Sequence, residues 1–195
     1  VTVPMNYVAQ RFPAGHQVRL SISSSYWPLA WPPPEPARLK ISLGNSNLYL
    51  PVRKKKDSDD HLRDLGMPGE YRELATTLHV PAHREWEVKH NLDNNYVSLH
   101  VTNNDPQYRL DDIKWTIQKD VTERYSYQNN NYDTLRGEVK SKRSFRRDDW
   151  EATTITHTIL TSTRTHFRIR ATLDAYEEET RIFSKTWDES IPRDL

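Results

Sequence analysis

Apolar and polar residues alternate along much of the second half of the chain. On one side of this alternation lie Phe167, Ile169, Ala171, Leu173 and Ala175, with polar or charged residues between them. A period of two residues is typical of a β-strand with one buried and one solvated face. Similar runs predict strands at 85–92, 96–102, 112–118, 123–128, 134–145, 150–162, 165–177 and 181–188. Because polar turn sequences such as 129–133 and 146–149 separate them, residues 84–195 are predicted to form an antiparallel meander.

The first 53 residues carry a similar signal. Val18, Leu20 and Ile22 alternate with polar residues, and the pattern predicts strands at 1–8, 17–23, 37–43 and 47–53. A turn is predicted at Pro13–Gly15, and a hairpin turn at Gly44–Asn47. Residues 54–82 are charged and interrupted by Gly and Pro, which predicts a long surface connection with short helical turns.

An aromatic cluster stands between two of these predicted strands. Tyr26, Trp27 and Trp31 lie among five prolines within 26–36. Proline cannot donate to a strand ladder, so a stiff extended segment that leaves the sheet is predicted. Two interpretations stay open. The aromatic side chains cap the end of a sandwich core, or they dock against another domain or line a cleft beside it.

Composition narrows the class of protein. The chain has 195 residues and a net charge of +1, without the basic surplus typical of proteins that bind nucleic acids or anionic membranes. It has no apolar run of about 18 residues, so no membrane span is predicted. The absence of cysteine excludes disulfides and thiolate chemistry. It is compatible with the cytoplasm, where we expect the protein to reside.

The aromatic cluster and its surroundings also carry a family resemblance. Residues 11–36, RFPAGHQVRLSISSSYWPLAWPPPEP, resemble a passage in the C-terminal domain of the CocE/NonD and X-Pro dipeptidyl-peptidase hydrolases. LYLPVR at 48–53 and the blocks at 108–113, 123–127 and 148–195 resemble the same family in the same order. The resemblance implies a galactose-binding-like jelly-roll sandwich that is not itself catalytic. It also implies that strands preceding Val1 belong to this jelly roll.

Members of that family resemble one another in carrying an α/β-hydrolase domain with a Ser–Asp–His triad that cleaves esters, amides or X-Pro dipeptides. A nucleophile elbow needs Gly-x-Ser-x-Gly, and no two of the five glycines flank a serine at this spacing. We therefore expect one all-β unit over 1–195, an antiparallel sandwich with an extended C-terminal meander and no catalytic domain. The expected partners are the hydrolase domain, in the same protein or a second chain, and further copies of the chain.

Three functions are weighed on these grounds. The first is an accessory domain of a serine hydrolase that supports the catalytic domain and shapes its cleft or an oligomer interface. The second is a carbohydrate-binding module that stacks sugars on Trp27 and Trp31, and the third is a structural fragment without activity of its own. The candidate interface or ligand residues are His16, Arg19, Tyr26, Trp27 and Trp31.

Other candidate chemistry is weak, and we predict neither a cofactor nor a metal. Pro81 separates His79 from His83, so the two histidines do not share a helical face, and no acid is evidently placed to orient His16 beside the serines at 23–25. The adjacent acidic pairs at 111–112 and 148–149 are predicted to be turn or strand-start residues rather than acid–base pairs. The basic residues within 140–147 are interpreted as a solvated strand face.

Overall fold

The computed structural model of the protein describes residues 1–64, 66, 67, 69 and 74–193. Within these residues the regular structure is one antiparallel sheet of nine strands, with short 3-10 helices at Leu43–Asn45, Asp57–His61 and Asp111–Ile113. The strands are β1 (Thr76–Val80), β2 (His83–Asn91), β3 (Tyr96–Asn104), β4 (Gln107–Leu110), β5 (Trp115–Gln128), β6 (Asn131–Arg147), β7 (Trp150–Ser162), β8 (His166–Glu177) and β9 (Thr180–Pro192).

The strands follow one another as a meander. The order is β1-β4-β5-β6-β7-β8-β9, and β3 pairs with both β2 and β5. One edge of β5 is shared, since residues 115–117 pair with β4 and residues 120–128 pair with β3. Two extended ribbons are therefore interrupted. The first is β1 followed by β2, with a break at Pro81, and the second is β3 followed by β4, with a break at Pro106. Proline lacks the N–H that a continuous ladder would need.

The pairing register gives the sheet two different faces, because directly opposite residues point to the same side. The apolar face is defined by a row across neighbouring strands: Val88, Leu99, Tyr125, Gly137, Leu160 and Ile169. The polar face is defined by the adjacent row: Glu87, His100, Arg124, Glu138, Ile159, Arg170 and Asp188. The alternation predicted for β8 is confirmed, with its apolar residues on the apolar face.

Tight turns allow this meander. Asn129 and Asn130, between β5 and β6, have φ of 54° and 52°, and Asp148, after β6, has φ of 51°. Asn and Asp tolerate this left-handed region better than most residues, and two successive positive φ values match the twist of a hairpin. Turns form at 129–130 and 148–149, within the two predicted stretches, whereas 131–133 and 146–147 belong to β6. The acidic residues of the second stretch are turn residues as expected.

The fold class predicted from the sequence, all-β and antiparallel, is confirmed, and the sheet is consistent with a β-sandwich class. Within the meander the predicted strands differ in detail. Residues 112–118 and 123–128 were expected as two strands, but one long strand, β5, contains most of both. β1 was expected as part of the surface connection, and β4 was not predicted.

The amino-terminal prediction was wrong about strands. Residues 1–64 contain no strand, and a 3-10 helix at Leu43–Asn45 stands where a hairpin turn was expected. A period-two pattern becomes a strand only where a neighbour pairs with it, and no described strand pairs with this segment. Val18, Leu20 and Ile22 are consequently about half exposed. The turn at Pro13–Gly15 is confirmed, with the His16 amide donating to the Pro13 carbonyl at 3.2 Å.

The connection at 54–82 is partly as predicted. It contains the short 3-10 helix at Asp57–His61 and then β1. The remainder of this prediction at 65, 68 and 70–73 lies outside the described residues. Beside the helix, Arg53 donates two hydrogen bonds to Asp59, at 2.8 and 2.5 Å. Together with the Lys56 amide, they lower the pKa of the Asp59 carboxyl to about 2.

Little of the apolar face is fully covered. Among the described residues the buried hydrophobic side chains are Val101, 6% exposed, and Leu135, 4% exposed, while Trp86 on β2 is 75% exposed. Sheets usually bury one face against another layer. Another segment of the chain, residues 27–32, covers one part of the apolar face.

Candidate functional site

The aromatic cluster predicted from the sequence lies on the apolar face, near the end where β5 stops and β8 starts. The Trp27 ring meets Trp31 edge to face, with centroids 4.6 Å apart and planes at 89°. Trp27 also packs edge to face on Tyr125 of β5 at 5.8 Å, and Trp31 on Phe167 of β8 at 5.9 Å. Such T-shaped pairs are favourable because the positive edge of one ring meets the negative face of the other.

Polar contacts fix the same segment. The Trp31 Nε1–H donates to Ser162 Oγ at 2.8 Å, and Ser162 is only 5% exposed. Arg193, just after β9, donates from Nη2 to the Pro32 carbonyl at 2.6 Å and lies over the Phe167 ring at 4.7 Å. We call the contacts of Trp27, Trp31 and Pro32 with the sheet the aromatic anchor.

The Trp31 and Tyr125 rings both lie over Gly137 of β6. Trp31 Cζ3 lies 3.8 Å from the position that a Cβ of Gly137 would occupy, and Tyr125 Cδ1 lies 3.5 Å from it. A Cβ at these distances would make ordinary van der Waals contact, so the two rings pack directly over Gly137 without depending on a glycine there. Burial raises the pKa of Tyr125 to about 12, helped by the hydrogen bond that its hydroxyl donates to Glu123 at 2.5 Å. Tyr125 is thus a neutral packing surface at physiological pH.

The anchor leaves part of its turn exposed. The Ala30 amide donates to the Tyr26 carbonyl at 2.9 Å and closes a turn over residues 26–30. Tyr26 is 69% exposed and Leu29 is 75% exposed. Exposed apolar side chains on a fixed turn can meet another protein surface without a large loss of conformational freedom. We call Tyr26 and Leu29 the exposed tip.

The other two candidates, His16 and Arg19, do not join this cluster. Both are exposed, and neither side chain takes part in a hydrogen bond, ion pair or ring contact with the described residues of the anchor. The serines near His16 are not paired with it either, since Ser23 Oγ–H donates to the Ser25 carbonyl at 2.7 Å. The structure thus brings Trp27 and Trp31 together and places Tyr26 on the exposed tip beside them, while His16 and Arg19 lie apart.

The comparison with known families comes down to one match. Residues 1–88 match the family model of the X-Pro dipeptidyl-peptidase C-terminal non-catalytic domain. The resemblance to the C-terminal domain of X-Pro dipeptidyl-peptidases is confirmed for this part of the chain, which contains the aromatic cluster. A C-terminal non-catalytic domain implies a catalytic domain in the full-length protein. The match ends within β2, and no curated protein and no solved structure matches the chain.

Residues of the anchor that sequence reasoning missed lie far away in the chain. Ser162 is 131 positions from Trp31, and Arg193 is 161 positions from Pro32. The alternation of β8 had assigned Phe167 to a buried face, but nothing in the sequence indicated what would cover it. No local signal could have identified Ser162 or Arg193.

The polar face holds the other concentration of charge. Glu138 lies between His157, with Nε2 at 2.6 Å, and Arg136, with Nη2 at 3.1 Å. Burial alone would raise the pKa of Glu138, but the hydrogen bonds from His157 and Arg136 outweigh it and hold this pKa below its usual value. Lys140, Lys142 and Arg146 are exposed on this face. Arg143 and Arg147 alternate to the apolar face, where Arg147 lies over the Trp115 ring at 4.7 Å, so the basic segment is solvated but does not form the single strand face that was predicted.

Two features are absent from the part of the chain that the structure describes. Over these residues, no group of three or more histidine, aspartate or glutamate side chains could hold a metal ion. Over the same residues, no helix has the length and apolar character needed to cross a bilayer.

Proposed function

We propose that this chain is the C-terminal accessory part of a CocE/NonD-type serine hydrolase that cleaves esters, amides or X-Pro dipeptides. The catalytic α/β-hydrolase domain lies outside residues 1–195. The accessory part supports that domain and shapes its substrate cleft or an oligomer interface. The match of residues 1–88 to a non-catalytic X-Pro peptidase domain carries this proposal.

The exposed tip is the surface that we propose for contact with the catalytic domain. Tyr26 and Leu29 belong to the family-matched segment, and the aromatic anchor fixes the turn that carries them to the sheet while their side chains stay exposed. Interface cores are enriched in aromatic side chains, and a preorganised turn loses little entropy when it binds. Both properties favour a docking role for this turn.

The carbohydrate-binding alternative has less support. A sugar-stacking platform needs an accessible, flat aromatic face. The Trp27 and Trp31 rings stand at 89° to each other, and both are half-buried in edge-to-face contacts with the sheet. Their geometry favours an anchor over a platform.

The test combines activity with association. The chain alone should hydrolyse neither p-nitrophenyl esters nor X-Pro amides, and no serine in it should react with a fluorophosphonate probe. Stoichiometric labelling of a serine would overturn the proposal. When the hydrolase domain of the full-length protein is coexpressed as a separate polypeptide, the two parts should copurify and regain activity.

A matched pair of variants tests the surface. Replacing Tyr26 and Leu29 with Asp should weaken association with the hydrolase domain about tenfold or more, because two charges would enter an apolar contact. Leu62→Asp is the control, since Leu62 is 70% exposed but lies in the connection after the Asp57–His61 helix. Equal affinity of the tip variant and the control would exclude the exposed tip as the docking surface.

A further inference from the structure

A cleft on the polar face lies beside the ribbon break at Pro106. It has a volume of about 480 Å³ and is lined by side chains from β1, β4, β5, β6 and β7 and from the turns next to them. This volume lies within the range of small-ligand sites in proteins. The aromatic anchor lies on the opposite face, so the cleft is separate from the proposed docking surface.

The lining of the cleft is strongly basic compared with the whole chain. Four cationic side chains line it, namely Arg109, Lys114, Lys142 and Arg146, together with the His79 imidazole. The two acidic lining residues are Asp148 and Glu151. With histidine neutral, the lining therefore carries an excess of two positive charges, whereas the whole chain carries +1.

Not all of this positive charge is neutralised locally. Lys114 lies 3.9 Å from Asp148, and Arg109 Nε lies 3.8 Å from Asp111, which is too far for a hydrogen bond. Arg109 Nε is buried and has no acceptor among the described residues. Across the same residues, neither Lys142 nor Arg146 has a carboxylate within ion-pair distance. The positive charge left for a ligand in the cleft is therefore mainly that of Lys142 and Arg146.

The register aligns the two arginines. Arg109 on β4 and Arg146 on β6 are both paired with Thr116 of β5, so they flank one threonine on the polar face. Neighbouring strands are about 4.8 Å apart, which puts the two arginine backbones about 10 Å apart. Guanidinium groups at this separation can approach one oxyanion from two sides.

Hydrogen bonds hold the floor of the cleft in place. Gln107 Nε2 donates to Gln118 Oε1 at 2.7 Å, and Gln118 Nε2 donates to Asp120 at 3.1 Å. Ser144 Oγ lies 3.0 Å from Thr153 Oγ1. These contacts orient the neutral polar side chains, so the site is preformed.

We propose that this cleft binds a small oxyanion of the phosphate class with two or more negative charges. A single carboxylate satisfies one guanidinium fork, whereas four cations around one cleft match a ligand with several charged oxygens. Because Arg109 and Lys114 are 41% and 63% exposed, binding depends on salt.

The experiment is calorimetric titration of the chain with pyrophosphate, with inorganic phosphate and succinate as comparison ligands. Saturable binding of one pyrophosphate per chain is expected, with weaker phosphate and still weaker succinate binding. Replacing Lys142 and Arg146 with Gln should lower pyrophosphate affinity about tenfold or more.

The control variant removes the same charge from the same face outside the cleft. Replacing Lys140 and Arg168 with Gln should leave pyrophosphate affinity within about twofold of the parent chain, since neither residue lines the cleft. Circular dichroism of both variants reports whether the sheet is intact. The absence of saturable binding, equal losses in the two folded variants, or succinate binding as tight as pyrophosphate would each overturn the proposal.

Discussion

Trp31 provides the sharpest test of the aromatic anchor. Truncating a fully buried tryptophan to alanine costs about 3–5 kcal/mol. The Trp31 ring is half-buried, so about half of that cost applies. The change also removes the hydrogen bond to the buried Ser162, which adds about 1 kcal/mol. We therefore expect Trp31→Ala to lower the free energy of unfolding by about 3 kcal/mol.

Urea denaturation followed by circular dichroism of the sheet measures this effect. Tyr26→Ala is the matched control, because this aromatic side chain is 69% exposed and lies outside the anchor. Exposed substitutions of this kind usually change stability by about 0.5 kcal/mol or less. Trp31→Phe should lie between the two, since it keeps a ring but leaves Ser162 without its donor.

A double-mutant cycle separates packing from hydrogen bonding. If the Trp31 Nε1–H bond matters, Ser162→Ala should be nearly neutral in the Trp31→Phe background and cost about 1 kcal/mol in the parent chain. If Trp31→Ala and Tyr26→Ala had equal effects, the anchor would not stabilise the sheet. Residues 26–36 would then be a passive connection.

Two further predictions concern charge and association. Glu138→Gln should destabilise the sheet by about 1 kcal/mol at pH 7, because it removes a carboxylate that accepts charged hydrogen bonds. Because the pKa of Glu138 is lowered in the folded state, the difference in stability between the parent and the variant should be full above pH 4.5, the ordinary glutamate pKa. It should disappear as the pH falls below 4.5 and through the lowered folded-state pKa. A stability difference that does not change with pH would contradict the role given to the Glu138 carboxylate. The chain should also self-associate in sedimentation experiments through its unpaired β9 edge, and Ile182→Lys should raise the monomer fraction. A parent chain that stays monomeric at every concentration would exclude this edge as a contact.

The meander was largely predictable because its signals are local. β7 begins and ends at the residues that its alternation predicts, and asparagines with positive φ mark the turn before β6. Residues 123–128 and 112–118 were split because polar residues between them broke the apolar pattern. A ladder with β3 and β6 keeps that region extended regardless of its polarity.

The amino-terminal segment was not predictable in the same way. Its alternation at 17–23 is as clear as that of β8, yet β8 has two neighbours and 17–23 has none among the described strands. Strand formation depends on a partner that the local pattern does not specify. The aromatic cluster was predictable as a packing element, but its target on β7 and β8 was not, because these contacts join positions more than 100 residues apart.

The aromatic anchor links the family-matched segment to a part of the chain that the family model does not cover. Within residues 1–64 no strand fixes the segment, so the position of Tyr26 and Leu29 depends on contacts with Ser162, Phe167 and Arg193. If the exposed tip docks on the catalytic domain, the sheet determines how that tip is presented. Substitutions at Phe167 or Arg193 should then weaken docking although neither residue touches the partner. If the meander only follows the docking segment in the sequence and does not position it, substitutions at Phe167 or Arg193 should leave docking of the exposed tip unchanged.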